Sequence, residues 1–252
     1  MSHNLVIEDV EVQFPFKPYH AQVAFMTQVL KSLSSEHQYA LLESPTGTGK
    51  TLSLLCSILA WQQKQKTLVP EIPPVIIYAS RTHSQLSQVV NELKRTCYRP
   101  KVAMLSSRAN LCVNPSVKNS PELRSKCRSL TKSRSCRFKE NIDRFLQQGT
   151  STFSVGVQST GFLKSNESFN DDSKVLKTNR ILDIEELGNF GQQENVCPYF
   201  LSRNESVQND AELVFMPYNY LVDPAVREGR CCIIHYFVSN NLKVWVSDGR
   251  TR

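Results

Sequence analysis

Apolar positions recur along the chain with two periods. Tyr39-Ala40-Leu41-Leu42 is a short apolar run that reads as a buried strand. A Pro- and Gly-containing loop follows, from Ser44 to Gly49. From Lys50 to Gln62, the residues Leu52, Leu55, Cys56, Leu59 and Ala60 fall at helical spacing. A polar, Pro-containing connection runs from Gln63 to Pro74, and Val75-Ile76-Ile77-Tyr78 predicts a second buried strand. Leu86, Val89, Val90 and Leu93 define one face of a helix over about Ser84 to Arg95, and Val102 to Leu105 predicts a third strand. Strands alternating with helices imply an α/β fold whose parallel sheet is covered on both faces.

The alternation breaks after Leu105. Ser106 to Asn195 is rich in Ser, Lys and Cys, has only short apolar stretches, and reads as an insertion with little hydrophobic core of its own. Thr150 to Thr178 is polar, Ser/Asn-rich and without period, as expected of a disordered loop. Ile181 to Leu187 and Pro198 to Val207 read as short helices. Leu213-Val214-Phe215 resumes the strand pattern. The last stretch, Arg230 to Arg252, is strand-like at Val244-Trp245-Val246 and carries no recognisable motif.

Charge sharpens this division. The 252 residues carry 30 Lys+Arg and 23 Asp+Glu, a net charge of +7. Between Lys94 and Glu140 there are 13 Lys/Arg against 2 Asp/Glu, a local +11 that leaves the rest of the chain acidic. Such clustering is either a solvated basic loop or a surface that gains from counterion release on nucleic acid. Residues 1–12 lack the basic and apolar regions of a signal peptide, and no apolar run approaches the ~18 residues that span a bilayer. A soluble intracellular protein without membrane partners is therefore expected. In a reducing compartment its 8 Cys are free thiols, metal ligands or a mixture.

The strongest chemical signal is Ser44-Pro45-Thr46-Gly47-Thr48-Gly49-Lys50-Thr51, between the first strand and its helix. Gly47 and Gly49 permit backbone conformations that turn N–H groups toward phosphate oxygens, and the following helix start adds partial positive charge. Lys50 suits the β- and γ-phosphates of ATP, and the Thr51 hydroxyl suits Mg²⁺. Ser44 stands where the common pattern has its first glycine. Kinases, transporters and helicases share such a loop, so it does not name the work done with ATP.

Neighbouring segments are more specific. Phe14-Pro15-Phe16-Lys17-Pro18-Tyr19-His20-Ala21-Gln22 lies upstream, and Tyr78-Ala79-Ser80-Arg81-Thr82-His83-Ser84-Gln85-Leu86 follows the second strand. Val196-Cys197-Pro198-Tyr199-Phe200-Leu201-Ser202-Arg203 and Phe215-Met216-Pro217-Tyr218-Asn219-Tyr220-Leu221 come later. Together with the loop, these resemble superfamily 2 DNA helicases of the XPD-like iron–sulfur group, over roughly residues 5–148 and 179–228. The resemblance implies a RecA-like sheet with an inserted [4Fe–4S] domain. It also implies ATP-dependent 5′ to 3′ DNA unwinding, with single-stranded or forked DNA as the partner, in nuclear repair, replication and telomere maintenance. Gln22, with Tyr19 near it, matches the segment that recognises adenine, which a Gln amide can pair through two hydrogen bonds. Arg81, Thr82 and His83 match the segment that contacts the DNA backbone.

Cys112, Cys127, Cys136 and Cys197 are separated by 14, 8 and 60 residues. This spacing alone matches neither a zinc ribbon nor a ferredoxin run. The resemblance assigns these four to the cluster, with zinc as the alternative metal. Cys56, on the apolar helix face, is expected in the core, and Cys97 has no assigned role.

The expected organisation places the first part of an ATP-binding domain at 1–106, the cluster insert at 107–200 and the return to the ATP-binding domain at 201–229. An unmatched tail covers 230–252. No Asp-Glu-Ala-His tetrapeptide occurs, although the family places one shortly after the position of Asp223. Without that acidic strand end and a second motor domain, the chain is expected not to unwind DNA unaided. A non-catalytic nucleotide- and DNA-binding module and a zinc-binding nucleic-acid module are the competing expectations.

Overall fold

The computed structural model describes residues 2–35, 39–70, 74–148, 181–223 and 243–247. In chain order, β1 (His3–Ile7) and β2 (Val10–Phe14) precede α1 (His20–Ser34) and α2 (Lys50–Leu68). Next come β3 (Ile76–Ser80), α3 (His83–Arg95) and β4 (Val102–Met104). The helices α4 (Arg108–Leu111), α5 (Pro115–Lys118), α6 (Leu123–Lys132), α7 (Arg137–Gln148), α8 (Ile184–Gln193), α9 (Pro198–Leu201) and α10 (Glu205–Asn209) follow. β5 (Leu213–Pro217), α11 (Asn219–Val222) and β6 (Lys243–Ser247) complete the described elements. The chain divides into two compact units, Met1–Tyr98 with Val214–Arg252, and Arg99–Leu213.

In the first unit, β1 and β2 form an antiparallel hairpin in which Ile7 faces Val10 across a two-residue turn. Glu8 and Asp9 both adopt positive φ, the twist that a tight hairpin requires. Alternation along β2 buries Val10, Val12 and Phe14 and leaves Glu11 exposed. The Tyr98 hydroxyl accepts the Gln13 N–H at 2.9 Å and pins the hairpin to the segment after α3. β3 is buried along its whole length, with β5 and β6 as its neighbours in the sheet. It runs parallel to β6, from Ile76 opposite Lys243 to Ser80 opposite Ser247. The parallel α/β architecture expected from the sequence is thus present.

α2 is buried without interruption from Leu52 to Gln62, as befits a helix enclosed on all sides. Its buried polar groups are satisfied locally. The Ser53 and Ser57 hydroxyls donate to the carbonyls four residues back, Gly49 and Ser53, and the Gln62 amide donates to the Pro74 carbonyl at 2.7 Å. Cys56 is fully buried here, and burial first, then Cys97 and Glu92, raises its thiol pKa well above the ordinary value.

One expected element is absent. Tyr39-Ala40-Leu41-Leu42 is not a strand, and Tyr39 and Leu41 are 88% and 99% exposed. A strand exists only through hydrogen bonds to a neighbour. β3 has a neighbour at each edge, and no described strand pairs with residues 39–42.

The second unit corrects the expectation of a coreless insertion. Leu111, Val113, Phe138, Ile142, Phe190, Val196, Tyr199 and Leu201 form one buried cluster with Cys136 and Cys197. α7 contributes its apolar face through Phe138, Ile142, Phe145 and Leu146, and the Phe145 ring meets Phe190 edge-on at 5.7 Å. The Cys197 N–H donates to the Phe138 carbonyl at 2.8 Å, joining the chain on either side of residues 149–180. The guanidinium groups of Arg108 and Arg203 both lie over the Tyr199 ring, 4.3 and 4.0 Å from its centroid. Arg203 is held in turn by the carbonyls of Tyr199 and Ser106. The lone helix expected over Pro198–Val207 is two short ones, α9 and α10. The loop expected at Thr150–Thr178 lies outside the described residues, as do Cys231 and Cys232. The strand-like reading of Val244–Val246 corresponds to β6.

Candidate nucleotide and nucleic-acid site

The loop from Ser44 to Thr51 folds on itself around the side chain of Lys50. Its ammonium donates to the Ser44 carbonyl at 2.8 Å and the Pro45 carbonyl at 2.7 Å. The Thr48 hydroxyl donates to the Pro45 carbonyl at 2.9 Å and lies 2.8 Å from the Ser44 hydroxyl. Ser44 therefore helps close the loop, although it departs from the usual glycine. Gly47 and Gly49 adopt φ of +79° and +77°. Pro45, Thr46, Gly47 and Gly49 are exposed, and Ser44, Thr48, Lys50 and Thr51 are half-buried.

Gly49 is the residue at which α2 begins, and it packs against α1. A Cβ there would collide with the amide nitrogen of Gln22. Gly49→Ala combines that clash with a left-handed φ, so it is expected to destabilise the first unit by ~1–3 kcal/mol, read from the urea midpoint. Gln22 itself is only 4% exposed, and its side-chain oxygen accepts the Tyr19 N–H at 3.0 Å. It is not an exposed helix residue: its amide nitrogen faces the phosphate loop.

A cleft of about 500 Å³ opens beside the loop. Phe16 and Gln22 line one part, Gly47, Gly49, Lys50 and Thr51 another, and Tyr78 and Ser80 the carboxyl end of β3. The α3 face adds Gln85, Gln88, Glu92 and Arg95, the last two joined by an ion pair at 2.9 Å. Ligands of open parallel sheets bind outside the carboxyl ends of the strands, and this cleft reaches such an end.

Arg81 and Thr82 follow β3 directly and are exposed, whereas His83 is half-buried in the first turn of α3. Thr82 caps α3, accepting the Gln85 N–H at 3.3 Å. Burial holds the His83 imidazole below its ordinary 6.5. The unfolded chain then takes up its proton at a higher pH than the folded one. This contribution to stability is complete above 6.5 and is lost as the pH falls below it. His83→Gln should flatten that limb in a series of urea midpoints against pH. Two residues passed over in the sequence, Ser80 and Gln85, also belong here. The Ser80 hydroxyl donates to the Gln85 side-chain oxygen at 2.6 Å, and the spacing Thr82-x-x-Gln85 was the available signal.

In the second unit, Cys112, Cys136 and Cys197 are buried and Cys127 is half-buried on α6. The Asn114 amide approaches the Cys136 sulfur at 3.7 Å. Burial raises the Cys112 thiol, and the charges of Cys127 and Cys136 raise it further. Burial likewise pushes Cys197 up to about 11, against hydrogen bonds from the Phe200 and Tyr199 backbones, with Cys136 and Cys112 adding to the rise. Among the described residues, no three His, Cys, Asp or Glu side chains are gathered closely enough to hold a metal ion. Arg124, Lys126, Arg128, Lys132 and Arg134 are exposed on and after α6, so the basic stretch faces solvent. No helix among the described residues is long and apolar enough to cross a membrane.

Residues 78–236 match the DEAD_2 family, and residues 15–118 match the family described as type III restriction enzyme, res subunit. The regulator of telomere elongation helicase 1 of Mus musculus is 39% identical over 263 aligned residues, covering 89% of this chain and 19% of the mouse protein. Its Homo sapiens counterpart is 38% identical over 262 residues, covering 88% and 19%. The Arabidopsis thaliana homologue is 36% identical over 253, covering 89% and 22%. The chain spans about a fifth of the length of these relatives. Residues 78–236 are more than half of the sequence, and with these identities the chain belongs to the DEAD_2 family of XPD-like helicases.

Proposed function

We propose that this chain is the nucleotide-binding and DNA-engaging part of an ATP-dependent DNA helicase of the iron–sulfur type. The observation that carries the proposal is the closed loop around Lys50. A cation already held by two carbonyls can exchange them for phosphate oxygens without being drawn from bulk water. Backbone N–H groups at Gly47 to Thr51 would complete the phosphate cradle, and the Thr51 hydroxyl would hold Mg²⁺. Gln22 lines the same cleft, where its amide nitrogen can donate to adenine while its oxygen stays on Tyr19. Arg81 and Thr82 would contact the phosphates of single-stranded DNA, with His83 beneath them.

Cys112, Cys127, Cys136 and Cys197 would hold a [4Fe–4S] cluster. The family reading supports the set, and Cys136 and Cys197 already share one buried cluster. A single zinc needs its sulfurs at ~2.3 Å from one point, whereas a four-iron cluster seats each thiolate on a different iron. The exposed basic stretch of α6 would lie along the DNA. Translocation 5′ to 3′, a nuclear location and roles in repair, replication and telomere maintenance follow from the family reading, and the similarity to regulators of telomere elongation supports the last. Because no Asp-Glu-Ala-His occurs in this sequence, the activity proposed for the chain alone is binding without unwinding.

Fluorescence anisotropy of a labelled thymidine oligonucleotide and of a fluorescent ATP analogue tests the proposal. Both are expected to bind, the oligonucleotide with an affinity that falls steeply as salt rises. Failure of both to bind at low salt would refute it.

A further inference from the structure

We propose that Gln85 is a positioning residue that couples the nucleotide cleft to the turn Arg81–His83, so that occupancy of one site changes the affinity of the other. The proposal rests on the functional reading above, in which the cleft takes ATP and the turn takes DNA. Its basis is one amide oxygen shared between the two. The side-chain oxygen of Gln85 accepts the Ser80 hydroxyl at 2.6 Å and the Thr82 backbone N–H at 3.3 Å. The Gln85 backbone N–H returns to the Thr82 hydroxyl at 3.3 Å.

Ser80 is the last residue of β3 and is 1% exposed, and its carbonyl accepts the Tyr218 N–H at 3.0 Å. Its backbone is therefore fixed by the sheet, and its hydroxyl is the part free to rotate. Ser80 and Gln85 both line the cleft that holds Lys50 and Thr51. The exposed residues Arg81 and Thr82 come immediately after Ser80.

A capping box accounts for the two bonds between Thr82 and Gln85. It does not account for the third, which runs to the hydroxyl of a buried residue lining the cleft. A serine hydroxyl is both donor and acceptor, and a phosphate oxygen beside it competes for its proton. When the hydroxyl turns toward a bound nucleotide, the Gln85 oxygen is left to Thr82 alone and the start of α3 tightens. By linkage, DNA held on that turn raises nucleotide affinity by the same factor. Intermediate position alone does not demonstrate coupling, so the test reads the coupling itself.

The affinity of a fluorescent ATP analogue with Mg²⁺ is measured with and without a saturating thymidine oligonucleotide, and the ratio is compared among variants of the 252-residue chain. The wild-type ratio is expected at ~5-fold or more, the lower end of ordinary coupling. Gln85→Met and Ser80→Ala should bring it close to one, whatever they do to either affinity alone. Gln85→Glu keeps the acceptor oxygens and should retain the ratio. A wild-type ratio for Gln85→Met, even with a lowered melting temperature, would mean that Gln85 only caps the helix and would overturn the inference. So would a wild-type chain that binds both ligands with no ratio at all. A chain that binds neither ligand overturns the underlying functional reading, and this inference falls with it.

Discussion

Lys50→Ala is expected to lower Mg·ATP affinity by ~100-fold, since hydrogen bonds to charged groups contribute about 1.5–3 kcal/mol each. The wild-type ammonium makes two short bonds to loop carbonyls, so its position is established before a ligand arrives. Alanine removes the positive charge and also the tie that holds the Ser44 and Pro45 carbonyls to the start of α2. Lys50→Arg should not restore binding, because a planar guanidinium fork does not fit a cradle closed around a compact point charge. The fold itself should survive. The buried stripe of α2 begins at Leu52, and its start at Gly49 is held by Ser53, not by Lys50. Titration with a fluorescent ATP analogue reads the first effect, and thermal unfolding without nucleotide reads the second.

Cys136→Ser is expected to reduce the iron and acid-labile sulfide of anaerobically purified chain to background, with loss of the visible absorption band. It should also unfold the second unit at much lower denaturant. Magnitude decides what such a loss means. Serine is nearly the size of cysteine, and burying its hydroxyl in a core that held no cluster would cost ~1–3 kcal/mol. Loss of a bound metal group removes binding free energy that is also folding free energy, which is several times larger. Cys136 sits in the cluster of buried residues beside Cys197 and Phe138, so the effect should spread to α7, α8 and α9. Cys56→Ser is the control. That thiol is equally buried but lies in α2, in the other unit, and its replacement should leave the iron unchanged. Zinc at full occupancy with no iron would replace the cluster by the zinc alternative.

The physics behind each element explains how far it could be read from sequence. The helix after the phosphate loop was legible because its apolar residues recur at a period set by the helix itself. So was β3, a continuous apolar run between polar segments. Tyr39–Leu42 shows the same local pattern as β3 and yet forms no strand, because pairing depends on a neighbour that local sequence does not contain. The core of the second unit was missed for a related reason. Leu111, Phe138, Phe190 and Leu201 come from segments far apart in the chain, and none is part of a long periodic run. Phe138, Ile142 and Phe145 do fall on one face of α7, and that shorter signal was available.

The candidate site divides in the same way. The chemistry proposed for Lys50 and Thr51 rests on eight consecutive residues. The contact of Gln22 with Gly49 joins α1 to the loop and is visible only in three dimensions. The reach of Gln85 to Ser80 spans five residues, yet it depends on where a strand ends and a helix begins.

The central claim is that the backbone from Gly47 to Thr51 wraps a triphosphate. Amide chemical shifts of a ¹⁵N-labelled chain, titrated with Mg·ATP and with adenosine alone, test it most directly. The largest shifts are expected at Gly47, Gly49, Lys50 and Thr51 with Mg·ATP, and adenosine should leave those four signals unmoved. Saturating Mg·ATP that shifts signals elsewhere while these four stay in place would contradict the account.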